Sequence, residues 1–94
     1  MIGILKLHIR FPGCKSLKEK RSMLKPLLTR LHREFNISVS EMGYQDKRSE
    51  TVIACAMIGN DTAHLQRSLA VVLKWIESHY PIGQVYNNEF EYIS

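Results

Sequence analysis

Residues 2–35 read IGILKLHIRFPGCKSLKEKRSMLKPLLTRLHREF, and two periodicities meet inside this stretch. From Ile2 to Phe11 the pattern alternates, with Leu5, Leu7, Ile9 and Phe11 on one side and Lys6, His8 and Arg10 on the other, as in a half-buried strand. Pro12-Gly13 ends it. Ser16-Leu17-Lys18-Glu19 then has the form of a capping box, the Ser16 hydroxyl accepting from the Glu19 amide while the Glu19 carboxylate reaches back to the Ser16 amide. A helix is expected from here. At about 100° per residue, Leu17, Leu24, Leu27, Leu28, Leu31 and Phe35 form one apolar stripe, with Lys18, Lys25, Arg33 and, nearer its edge, Arg21, Arg30 and His32 outside it. Lys20 falls inside the stripe, so it must snorkel or meet a partner. Pro26 lacks the amide that would bond the Ser22 carbonyl, which predicts a kink or a break into two shorter helices.

Further along, Ile37–Met42 and Thr51–Ile58 read as strands joined by the polar loop 43–50. The second of these is apolar on both sides, which suits a central strand whose outer face is at least partly covered. Asn60 or Asp61 can cap a second helix with a core stripe of Leu65, Leu69, Val72, Leu73 and Ile76, ending near His79-Tyr80-Pro81. Residues 83–93 read as a last strand, where the face assignment around Asn87-Asn88 admits a bulge. The order βαββαβ in 94 residues closes most economically as one α+β domain spanning 1–94. That domain is a ferredoxin-like sandwich: a four-stranded antiparallel sheet with both helices on one face. The other face, carrying Lys6, His8 and Arg10, is left open.

Composition narrows the function classes. The N-terminal segment lacks a basic leader and a long apolar region, so a cytoplasmic location is expected, with no membrane role. Cys14 and Cys55 stand far apart, outside any C-x-x-C pair, and are expected to be reduced. Cys14, in a loop beside cations and a helix start, is the candidate for a reactive thiol. His8, His32, His64 and His79 show no ligand spacing, so no metal and no small-molecule cofactor are expected. No catalytic constellation emerges. Gly13-Cys14-Lys15-Ser16 lacks the first glycine of a phosphate-binding loop, and an acylphosphatase-like site would need arginine in the first loop. The protein is therefore expected to be no enzyme.

Charge carries the functional signal. Net charge is +4, yet residues 15–33 alone hold Lys15, Lys18, Lys20, Arg21, Lys25, Arg30 and Arg33 against the single acid Glu19, and the remaining chain is slightly acidic. A concentrated field of this kind attracts polyanions, and the same pattern fits a solvated amphipathic face. Lys15, Ser16 and Lys18 around the helix start could seat a phosphate on free first-turn amides. On the first strand, Lys6, His8 and Arg10 could follow a phosphate backbone or pair with Glu89 and Glu91 on the last strand. Val71 and Trp75, one turn apart and off the apolar stripe, are the candidate self-association flank.

The run Pro12-Gly13-Cys14-Lys15-Ser16-Leu17-Lys18-Glu19-Lys20-Arg21 resembles the YlxP-like family of uncharacterised bacterial proteins. So do Phe35-Asn36-Ile37-Ser38-Val39-Ser40-Glu41, Gln45-Asp46, Asn60-Asp61 and Ile76-Glu77-Ser78, and the likeness extends over nearly the whole chain. The resemblance implies a ferredoxin-like fold and little established biochemistry. Genes of the family often neighbour those for translation initiation and ribosome maturation factors, which implies work on ribosomal RNA or the ribosome. Pro26 departs from the family pattern in the middle of the basic helix. The expectation is a binding protein for structured RNA or the ribosome; the alternative is a homodimer or larger homo-oligomeric interaction module without a nucleic-acid role.

Overall fold

A computed structural model describes all of residues 1–94. The elements run β1 (Ile2–Arg10), α1 (Leu17–Glu34), β2 (Ser38–Gly43), β3 (Glu50–Ile58), α2 (Thr62–His79) and β4 (Gln84–Ile93). The strands form one antiparallel sheet in the order β2-β3-β1-β4, the ferredoxin-like arrangement. Alternation decides which side of each strand is covered. Leu5, Leu7 and Ile9 of β1 and Ile53 and Cys55 of β3 are fully buried beneath Leu24, Leu27 and Leu31 of α1 and Leu69, Val72 and Ile76 of α2. β3 is central, as its two-sided apolar character predicts. Burial pushes the Cys55 thiol up to about 12.

Three local features refine the sequence reading. The bulge in β4 lies one residue earlier than Asn87-Asn88: His8 pairs with Asn87 and Ile9 with Val85, leaving Tyr86 as the extra residue. The inserted residue carries the Tyr86 ring onto the open face of the sheet, against His8 and Arg10. Gly83, just before β4, lies so close to the core that a Cβ there would stand 2.5 Å from Ile9 Cγ2. Finally, Pro26 does not divide α1, which continues unbroken through it for 18 residues. Of the two outcomes expected at Pro26, the break does not occur: Leu24, Leu27 and Leu31 are buried on both sides of the proline, and that shared burial keeps the helix continuous although one backbone bond is missing.

Pro26→Ala restores an amide opposite the Ser22 carbonyl and should stabilise the fold by about 1–3 kcal/mol, the cost of an interior helical proline less its restriction of the unfolded chain. Urea denaturation checks this; an unchanged or lower midpoint contradicts it.

Candidate nucleic-acid interface

The first turn of α1 is capped from both directions. The Ser16 side chain accepts from the Glu19 amide at 3.0 Å, and the Glu19 carboxylate accepts from the Lys15 amide at 3.1 Å rather than from Ser16's own. That carboxylate, and the commitment of the Ser16 hydroxyl, occupy the place where a phosphate would approach. Lys15 and Lys18 are exposed beside it. Cys14 is buried and its thiol donates to the Ser16 carbonyl at 3.4 Å, so the candidate reactive thiol faces inward.

Lys20 does not belong to the basic face. It is 1% exposed, because one turn before Leu24 its Cβ points into the apolar stripe. Its ammonium donates to Glu41 Oε2 at 3.0 Å and to the carbonyls of Tyr44 at 2.8 Å and Glu50 at 3.1 Å. The Gln45 carbonyl lies at 3.5 Å. The Thr51 hydroxyl, itself fully buried, donates to the same Glu41 oxygen at 2.6 Å. The sequence reading named no partner; the signal for one is parity, since Glu41 continues the inward series Ile37, Val39, and an acid on the apolar side of a strand calls for a cation.

The remaining cations of α1 point outward. Lys18, Arg21, Lys25, Arg30 and Arg33 are exposed, and none has an acid within 4.0 Å; the four ion pairs of the protein are His8–Glu89, Arg10–Glu50, Lys20–Glu41 and Lys47–Glu50. Between them runs a shallow depression of about 360 Å³, bounded by Arg21, Lys25, Arg30 and Arg33 and floored by Ser22, Pro26 and Thr29. The floor is short because its hydroxyls fold back onto the helix, Ser22 onto the Glu19 carbonyl and Thr29 onto the Lys25 carbonyl. Arg21, Lys25 and Arg33 climb one side of the helix over about 18 Å at 1.5 Å per residue.

The first-strand cations are differently placed. His8 faces Glu89 at 3.8 Å, Arg10 faces Glu50 at 3.8 Å and lies over the Tyr86 ring at 4.4 Å, and Lys6 has no ion pair. Glu89 is thus a partner as expected, while Glu50 and Tyr86 were not foreseen; their signal, a residue inserted by a bulge, is visible only once the register is known. The Lys47 ammonium and the Tyr86 hydroxyl both donate to Glu50, and these bonds, with the lesser fields of Lys47 and Arg10, hold its carboxyl below the usual 4.5. The candidate self-association flank is split: Val71 is 55% exposed, while Trp75 is half-buried, edge-on to Phe35, stacked on His79 at 4.9 Å and covered by Arg30 at 4.8 Å.

The fold and this surface define a ferredoxin-like domain with one strongly cationic helix and no gathering of three or more His, Cys, Asp or Glu side chains. Residues 2–87 match the family described as "Protein of unknown function (DUF503)". A relative from Bacillus subtilis (strain 168), "Uncharacterized protein YlxP", is 38% identical over 78 residues, which cover 83% of this chain and 85% of the relative. The chain belongs to this family. No helix is long and apolar enough to cross a membrane.

Two outcomes separate structural from surface charges. Lys20→Ala strands Glu41 and should cost about 3–5 kcal/mol of stability, as breaking a buried pair does. Lys18→Ala and Lys25→Ala should stay within about 0.5 kcal/mol of the wild type. Chemical denaturation measures all three, and a Lys20→Ala protein as stable as the wild type contradicts the assignment. Because Glu50's folded value is depressed, its contribution is complete above 4.5 and fades as pH falls through the lower folded value. Carboxyl NMR titration should place its midpoint below 4.5, and Tyr86→Phe should move it upward by removing one donor.

Proposed function

We propose that the protein is a cytoplasmic, non-enzymatic binding domain for structured RNA or the ribosome, and that the outer face of α1 makes the contacts. The observation that carries this reading is the row of exposed cations Lys18, Arg21, Lys25, Arg30 and Arg33, which have no acidic partner and border a depression with a low floor. Five unneutralised cations on one helix repel one another, so the face carries an electrostatic cost that a polyanion removes. Arginines at the rim can take phosphate oxygens two at a time, and the lysines act as point charges. The low floor lets a ribose-phosphate strand lie against the helix instead of standing off from it.

Contacts of this type fix position and do not read bases. The domain on this reading selects RNA by shape and phosphate spacing, and Lys15 at the helix start and Arg48, whose guanidinium lies 3.5 Å from the Lys15 carbonyl, extend the positive surface beyond the first turn. Lys20 takes no part, since its charge is internally compensated.

RNA affinity should fall with salt, with a log–log slope of roughly −3 to −4 on single strands for about five neutralised phosphates. A variant with Lys18, Arg21, Lys25 and Arg33 all changed to Glu should lose binding while keeping its circular dichroism and a cooperative melting transition, because all four face solvent. Fluorescence anisotropy with a ribosomal RNA fragment, and co-sedimentation with ribosomal particles, read the effect. Undiminished binding by the reversed protein would falsify the proposal.

A further inference from the structure

The face of the sheet turned away from the helices is stepped. Cross-strand register groups its side chains into rows: Ile58, Ile2 and Ile93; then Ser38, Ala56, Ile4 and Glu91; then Ser40, Ala54, Lys6 and Glu89. In the second and third rows the β2 and β3 side chains are short and the β1 and β4 side chains are long. The result is a ridge beside a trough, the step falling between β3 and β1, the middle of the four strands. The first row is apolar and exposed: Ile58, at 82%, is the most exposed large hydrophobic side chain of the protein, with Ile93 at 45% and Ile2 at 38% beside it.

We propose that this face joins two copies of the chain in a two-fold dimer, with the axis roughly along the strands between β3 and β1. A rotation about that line sets each copy's ridge in the other's trough. Ile4 then lies on the second copy's Ala56, the Lys6 stem on its Ala54, and Ile2 on its Ile58. Charge follows the same operation: Arg10, which shares its row with Glu50, meets the second copy's Glu50, and Glu89 and Glu91 meet the hydroxyls of its Ser40 and Ser38. No row brings like charges face to face. Placing the axis on β1 would stack Lys6 on Lys6, and edge-to-edge pairing through the acidic half of β4 would set Glu89 and Glu91 of both copies together, which a ladder disfavours.

Area is adequate. Strands of nine, six, nine and ten residues, about 4.8 Å apart and rising about 3.3 Å per residue, give a flat footprint of roughly 540 Å² per copy before side-chain relief, about two thirds of the roughly 800 Å² per partner of a standard specific interface. Both α1 helices stay outside, on opposite sides of the dimer, so this inference stands independently of the RNA reading and each can fail alone.

Sedimentation equilibrium at micromolar concentration should give a mass near twice 10.9 kDa. Ile58→Glu, at a site too exposed to affect folding, and Ala54→Lys, which fills the trough and opposes Lys6, should each weaken the dimer at least tenfold, with circular dichroism unchanged. Val71→Glu, on the α2 flank, should leave it intact. A monomeric wild type, a dimer indifferent to Ile58→Glu and Ala54→Lys, or a dimer lost with Val71→Glu overturns the proposal.

Discussion

One ammonium group sets the conditions for the rest of the molecule. Lys20 enters from the start of α1 and is held by Glu41 of β2, by the carbonyls of Tyr44 in the following loop and by Glu50 of β3. A lysine without these partners could not sit at 1% exposure, since an isolated buried charge would cost many kcal/mol. The demand runs in both directions. Glu41 is an acid on the covered side of a strand, and the β2–β3 loop must turn its carbonyls inward, which it does with Tyr44 in the left-handed region at φ 58. That conformation costs a non-glycine residue roughly 1–2 kcal/mol, and it is offset where the Tyr44 carbonyl accepts both the Lys20 ammonium at 2.8 Å and the Lys47 amide at 3.0 Å.

The clamp also fixes the rotation of α1. With Lys20 aimed inward, Leu24, Leu27 and Leu31 follow it onto the core, and Arg21, Lys25 and Arg33 must point away. The same helix therefore uses one cation for structure and leaves five for the surface. Near the other end, Arg30 over the Trp75 ring ties the helix to α2, and Tyr80 donates to the Met23 carbonyl at 2.9 Å from beyond α2. These contacts tie both ends of the basic helix to the rest of the domain.

The fold was legible because its signals are local. Alternation in β1, the Ser16–Glu19 box and the Leu65–Ile76 stripe each follow from neighbouring residues, and the topology follows from their order. The surface was legible only in part. Lys20 carried a visible sign, its angle inside the apolar stripe, but its partners lie 21 to 30 residues away and depend on the pairing of β2 with β3. Tyr86 was hidden by a one-residue bulge that changes which side it faces. A break at Pro26 was one of two outcomes a local rule about a missing bond allowed, and the leucines buried on either side of the proline kept α1 continuous. The relief of the open sheet face is likewise a property of register, since Ala56 and Ile4 become neighbours only when β1 and β3 pair.

The two proposals divide the surface between them, the outer face of α1 for a polyanion and the open sheet face for a second copy. Amide NMR shift mapping during titration with an RNA fragment at low salt tests that division most directly. The predicted result is perturbation concentrated at Arg21, Ser22, Lys25, Thr29, Arg30 and Arg33, with Lys6, Ala54 and Ile58 unmoved. Shifts confined to the sheet face, or spread evenly over every exposed cation, would contradict it.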